Sequence, residues 1–262
     1  MSMALIANHR SVIVACGVGV VYLFALTYAW AGPAGHTVEV APFERIFISG
    51  NARVRLTQAP RQPGQDATLQ GQHTHVRLTS ADPGLLRSAD LSAALLESAD
   101  GALYIDTRHV TNDALLEVAV CVEELKEVVI AGAGRVTADR LRAANLVLEG
   151  TGSGLFDLHA LDLQHLVVVG AGETSFQLSG YAKNQHVELD GVGHYSAHGL
   201  HSTFSQVRVH GSSLVDVWAE ELLAIDINGF GDVRYNGSPH VLQQISGRGG
   251  VRRASSTPVL RL

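Results

Sequence analysis

The sequence is poor in cysteine and in lysine. Its 262 residues include two cysteines, Cys16 and Cys121, too few for a disulfide framework or a cysteine-based metal site. Lysine is almost missing, with only Lys126 and Lys183, and there is no run of Lys and Arg. With a formal charge of −6 and a pI near 6.1, that lack argues against nucleic acid as a partner. Apolar residues make up 46% of the chain, the composition of an ordinary globular protein.

Charge is also missing from one long stretch. Residues 11–31 carry none, and they follow His9 and Arg10. A run of about twenty apolar residues can cross a bilayer as a helix, and Tyr28 and Trp30 would mark its far interface. Ala29, Trp30 and Ala31 equally fit the small-x-small site of a cleaved signal peptide. Residues 1–31 therefore read as a signal-anchor or as a signal peptide, and both readings stay open. They agree on topology. Arg10 stays in the cytoplasm and the chain beyond Gly32 is exported to the periplasm or cell envelope, held in the membrane by residues 11–31 unless these are cleaved.

Glycine, by contrast, is abundant and regularly placed. Within residues 126–253, seven short alternating segments end on Gly132, Gly150, Gly170, Gly191, Gly211, Gly229 and Gly247, at intervals of 18, 20, 21, 20, 18 and 18. Two and four residues before these glycines stand aliphatic residues, such as Ile130 with Val128 and Leu189 with Val187, except for Gln243 before Gly247. That spacing points both to one face of a short strand. Six residues beyond them, Ala138, Phe156, Phe176, Ala197, Val217, Tyr235 and Arg253 form a second column of mixed size, suited to a filled interior.

Each repeat thus reads as strand, glycine corner, strand and short return. A repeat of about twenty residues marks a stacked architecture, and three short strands with turns fill one circuit. The predicted fold is all-β, a single-stranded right-handed parallel β-helix preceded by an N-terminal hydrophobic helix. Each strand would pair with its equivalent about 4.8 Å away, and the hand follows from the crossover rule. The seven glycines are expected at the corners, where positive φ permits a sharp turn. The Gly-x-Gly spacing is not a phosphate loop, because strands and not helices follow it.

The expected organisation is a linker at 32–37 and a β-helix domain at 38–262. Within it, 38–125 is an N-terminal cap with irregular coils, 126–253 holds seven regular rungs, and 254–262 is a C-terminal cap. Ile46, Ile48 and Gly50 match the repeat's opening and read as a first coil. Residues 67–71, extended by Val76 and Leu78, read as a degenerate copy, and Asp82-Pro83 opens a helix-forming stretch.

Phe43, Ile46, Ile48, Gly50, Val54 and Leu56, then Leu125, Val128, Ile130, Gly132 and Gly134, and the Gly-x-Gly rungs as far as Gly247 and Gly249, together carry a family resemblance. Over about 38–251 the chain resembles the putative auto-transporter adhesin head GIN domain family of bacterial envelope proteins. The resemblance implies a right-handed parallel β-helix that is exported and has no assigned catalytic residues.

Seven residues past the repeat glycines, Asp139, Asp157, Gln177, His198, Trp218 and Asn236 are expected to form an outward ladder. Such a ladder would grip a polymer by hydrogen bonds and by stacking on Trp218. A solvated face is the plainer reading and the favoured one. His194, His198 and His201 suggest zinc, but ligands at that spacing converge on a helix, and Gly193 and Gly199 favour strand and turn. No metal and no cofactor are expected.

Enzymes on β-helices build clefts from long insertions and set paired carboxylates in them. The even rungs here give no cleft walls around Asp157 and Asp162 or around Asp226 and Asp232. Not an enzyme, then, but a non-catalytic exported envelope β-solenoid is expected, acting in binding, adhesion or scaffolding. A carbohydrate-active enzyme acting on an envelope polysaccharide is the alternative. The candidate partners are a glycan or an envelope protein, with a homo-oligomer as a further candidate and no nucleic acid.

Overall fold

The computed structural model describes residues 35–59, 75–80, 96–108 and 116–254. The expected helix at 11–31, the degenerate copy at 67–71, the helix-forming stretch after Asp82 and nearly all of the C-terminal cap lie outside them.

All described elements are strands. The chain opens with β1 (Gly35–Glu39), β2 (Arg45–Gly50) and β3 (Ala52–Gln58). It continues through β4 (His75–Ser80), β5 (Leu96–Ala99), β6 (Ala102–Asp106) and β7 (Leu116–Val122). The regular part starts at β8 (Glu127–Gly132) and β9 (Arg135–Ala138). Three long strands then run unbroken from one face to the next and end at a corner glycine: β10 (Leu141–Gly152), β11 (Leu155–Gly172) and β12 (Ser175–Gly191). Shorter ones complete the stack: β13 (His194–His201), β14 (Phe204–Gly211), β15 (Leu214–Trp218) and β16 (Leu222–Gly229). The last are β17 (Asp232–Asn236), β18 (His240–Gly247) and β19 (Gly250–Arg253).

Parallel pairing of equivalent strands makes a β-solenoid. On the first face β2, β8, β10, the ends of β11 and β12, β14, β16 and β18 follow one another in register. The second face runs from β3 through β9, β11, β12, β13, β15 and β17 to β19. A third face is shorter, pairing Leu141 with Leu161, Leu161 with Gly180, and Gly180 with Leu200.

The interior follows the alternation seen in the sequence. On the first face Ile46, Val128, Leu148, Val168, Val187, Val207 and Ile225 are Cα neighbours in turn and all buried. At the last rung the same column reaches Gln243, which is exposed. There the column of Val217 and Tyr235 on the second face ends on Arg253, also exposed, which donates to Ser238 Oγ at 2.8 Å. Among the described residues no further rung covers them.

The corner glycines depart from expectation in two places. Gly132, Gly191, Gly211, Gly229 and Gly247 carry positive φ, but between them the positive φ belongs to Gly152 and Gly172, and not to Gly150 and Gly170. Gly152 lies beside Gly132 and Gly172 beside Gly152. The corners therefore fall 20, 20, 19, 20, 18 and 18 residues apart. Glycine is required there by contact as well as by φ: a Cβ on Gly152 would stand 2.9 Å from the Gly132 carbonyl oxygen. That same oxygen accepts from Ser153 N at 2.9 Å, so the corners are tied rung to rung.

Gly150 and Gly170 instead face inward, two residues before the corner, in the column that holds Ile130 and Leu189. Their missing side chains leave space for rings from the second face. Phe156 and Phe176 stack with centroids 4.8 Å apart, and Tyr195 continues the stack at 6.2 Å. The second interior column is consequently Val136, Phe156, Phe176, Tyr195, Val215 and Val233, with Ala138 opposite Leu158 and not Phe156.

The first coil is also placed out of sequence. β2 lies between β6 and β8, and β3 between β7 and β9. The rung made by β6 and β7 is therefore outermost, and residues 45–58 are inserted beneath it. Val76 and Leu78 belong to β4, which runs antiparallel to both β7 and β1 and so is no copy of the rung. β5 runs antiparallel to β6. These antiparallel strands cap the N-terminal end of the stack.

Candidate functional site

The outer side of the second face is where the expected ladder was placed. The two-residue slip at Gly150 and Gly170 divides that ladder between two columns. Five residues past the corners run Arg55, Thr137, Asp157, Gln177, Ser196, Asp216, Arg234 and Arg252. Asp157 and Gln177 are neighbours in this column. Trp218 and Asn236 are neighbours in the next, two residues further along each strand. Asp139 lies just past β9 and pairs with Arg55 at 2.9 Å. His198 sits where the pairing of β12 with β13 shifts register, and its Nδ1 is 3.3 Å from Ser196 Oγ. The six residues do not form one continuous row.

Charge on this face is mostly matched between rungs. Arg234 pairs with Asp216 at 2.7 Å and Arg252 with Asp232 at 2.5 Å. Asp157 turns one carboxylate oxygen inward, and His159 Nε2 approaches it at 3.0 Å, an ion pair only when that ring is protonated. His159 Nδ1 lies 3.1 Å from Ser179 Oγ. These carboxylates face arginine or histidine of the same surface, an arrangement that matches charge from rung to rung.

The aromatic corner of the third face is built more tightly. Arg142, Asp162, Tyr181 and His201 are Cα neighbours on successive strands, and Arg142 Nε donates to Asp162 at 2.9 Å. The His201 ring lies 3.9 Å from that of Trp218, tilted by 31°, with Glu220 Oε1 3.8 Å from His201 Nδ1. Tyr181 leaves its ring exposed, with its hydroxyl 3.4 Å from Thr203 Oγ1.

Beneath this corner a buried polar network fixes the Trp218 backbone. Tyr195 Oη donates to Gln185 Oε1 at 2.8 Å, and Gln185 Nε2 donates to Ser202 Oγ at 2.6 Å and to the Trp218 carbonyl at 3.2 Å. Ser202 donates to the same carbonyl and contacts Ser205 Oγ at 3.0 Å. Two side-chain donors thus converge on the Trp218 carbonyl at the end of β15 and satisfy a backbone acceptor below the surface. Burial pushes the Tyr195 phenol far above its usual pKa.

Sequence reasoning weighed His201 for zinc and set it aside, offered Trp218 for stacking, and missed that the two rings meet. The three histidines separate instead: His194 lies beside Ser175 and Leu214, and His201 beside Tyr181. Among the described residues no group of three or more His, Cys, Asp or Glu is placed to hold a metal ion.

The family described as Putative auto-transporter adhesin, head GIN domain, matches residues 42–239. The chain belongs to this family. The GIN-domain chain is also similar to solved structures. A putative adhesin from Bacteroides fragilis is 22% identical with a TM-score of 0.70, covering 84% of this chain and 96% of its own. For a putative adhesin from Parabacteroides distasonis the values are 21% and 0.64, over 84% and 96%. A putative lipid binding protein from the same species gives 17% and 0.60, over 86% and 98%. At these identities the likeness is one of fold. No curated protein matches the GIN-domain chain.

Proposed function

We propose that this GIN-domain chain is a non-catalytic, exported β-solenoid that binds a ligand or scaffolds neighbours at the bacterial envelope, with its coil right-handed. In this reading residues 11–31 direct export and hold the chain in the membrane unless cleaved, and residues 38–262 are the exported domain.

One observation carries the reading. Corners spaced 18–20 residues apart from Gly132 to Gly247 leave the outer faces even. Along those faces Asp139, Asp162, Asp216 and Asp232 answer arginines of neighbouring rungs. A regular face of matched charge with a rigid aromatic corner is suited to contact, whereas acid–base catalysis needs carboxylates held apart from such partners in a desolvated cleft.

A glycan array probed with the full chain and with Trp218→Ala tests the binding half. Retention of a glycan that Trp218→Ala loses supports it, and identical profiles count against the aromatic corner. Incubation with envelope polysaccharide tests the other half, since release of reducing ends or unsaturated sugars would establish an enzyme. N-terminal sequencing of the protein recovered from membranes distinguishes the retained anchor from the cleaved signal.

A further inference from the structure

The charge matching on the second face fails near the N-terminal end of the stack. Towards the C-terminal end of the stack, Arg234 and Arg252 each answer an aspartate of the preceding rung. At the other end Arg53 and Arg135 are direct Cα partners on β3 and β9, and both side chains are exposed. Two like charges on paired strands about 4.8 Å apart destabilise a sheet.

Two more arginines adjoin them. Arg55 stands two residues from Arg53 on the same side of β3, and across the small Ala119 of β7 it faces Arg77 of β4. Among the described residues Arg53, Arg77 and Arg135 make no hydrogen bond or ion pair with a side chain, while Arg55 is held by Asp139 at 2.9 Å. The acidic residues within the strip are Asp139 and Glu117, the latter a Cα partner of Arg53. This cationic strip crosses four strands of a chain whose formal charge is −6.

We propose that the strip formed by Arg53, Arg77 and Arg135 binds an acidic polysaccharide through its carboxylate or phosphate groups. The guanidinium fork matches either oxyanion in a bidentate geometry, and a chain of regularly spaced anions would lie along the strip and relieve the Arg53–Arg135 repulsion. A narrow polymer meets only the strip. A broad anionic bilayer would also meet Asp157 further along the same face and the negative charge of the whole chain, which disfavours it. This assignment deepens the envelope-binding reading by naming the ligand class, and it does not involve the Trp218 corner.

The full chain in non-ionic detergent is tested against polygalacturonate for carboxylate, phosphomannan for phosphate, dextran as the neutral control and phosphatidylglycerol vesicles. Retention of either acidic polymer, but not of dextran, is expected. The double variant Arg53→Gln/Arg135→Gln should weaken retention by about tenfold or more, as loss of two charge-assisted contacts implies. Arg234→Gln, whose guanidinium is engaged by Asp216, should leave it unchanged. Because the double variant removes a like-charge pair from an exposed face, it should melt no lower than the parent, so reduced binding is not unfolding.

No retention above dextran, an equal loss from Arg234→Gln, or binding confined to vesicles overturns the proposal. Shortening of a retained polymer counts for the strip and against the non-catalytic reading, which keeps the two failures apart.

Discussion

Phe156 and Phe176 stack on consecutive rungs with their planes 8° from parallel, and the stack exists because Gly150 and Gly170 stand beside it without side chains. A Cβ at Gly150 would come within 3.2 Å of the Phe156 ring, and one at Gly170 within 3.1 Å of the Phe176 ring. Large and small residues are thus matched across two faces of the coil, as close packing requires.

Gly170→Ala should therefore destabilise by overpacking. Its new methyl would meet Thr174 Oγ1 at 2.6 Å and Leu189 Cδ2 at 2.9 Å as well as the ring. A loss of about 1–3 kcal/mol in urea unfolding is expected. Adding Phe176→Leu should recover part of it, because residues in contact couple. Strictly additive losses would mean that the ring is not what Gly170 accommodates.

The corner position should fail for a different reason. Gly152 has φ of 102° and packs on the Gly132 carbonyl. Gly152→Ala should cost roughly 1–2 kcal/mol from the left-handed backbone alone, with the corner contact added. Gly199→Ala is the control, since its Cβ would meet only Ser179, at 3.3 Å and beyond, at ordinary φ. Equal melting temperatures for the two variants would contradict the corner assignment.

Thr174 offers a stabilising change. It is 1% exposed, and its Oγ1 has no hydrogen-bond partner among the described residues. Thr174→Val keeps the shape and removes the unpaired hydroxyl, so stability should rise by about 1 kcal/mol. A fall in the urea midpoint would show that the hydroxyl is satisfied in solution.

Tyr195→Phe tests the network under Trp218. It leaves Gln185 Oε1 without its donor at 2.8 Å, and a loss of about 1–3 kcal/mol is expected at neutral pH. The pH dependence has a definite sign. Burial holds the folded phenol above its usual value of 10.0, so the unfolded chain releases this proton first. Stability from this group is full below about pH 10 and is lost as pH rises beyond it. The parent should lose stability more steeply than Tyr195→Phe between about pH 9 and pH 11. Parallel curves would mean that Tyr195 is not held neutral by the core.

The alternation, the stacked-rung fold and the family were legible in the sequence because each rung repeats the same inside–outside pattern. The frame of two rungs was not. A strand pattern has period two, so sliding a rung by two residues keeps every apolar side chain inside, and Gly150 passes for a corner as readily as Gly152. The ladder containing Asp157, Gln177, Trp218 and Asn236 inherited that slip. The meeting of His201 with Trp218 was hidden for a related reason, since the end of the third face fixes which turn lies against which strand.

By itself the sequence determined that this chain coils into stacked strands with glycine corners, because period-two burial and sharp turns are local properties. Only the tertiary structure decided which glycine turns, that residues 45–58 slide beneath the rung of β6 and β7, and that Arg53 faces Arg135. Those outcomes depend on which strand edge each rung meets, and hydrogen bonding between parallel backbones accepts any edge until packing of the interior selects one.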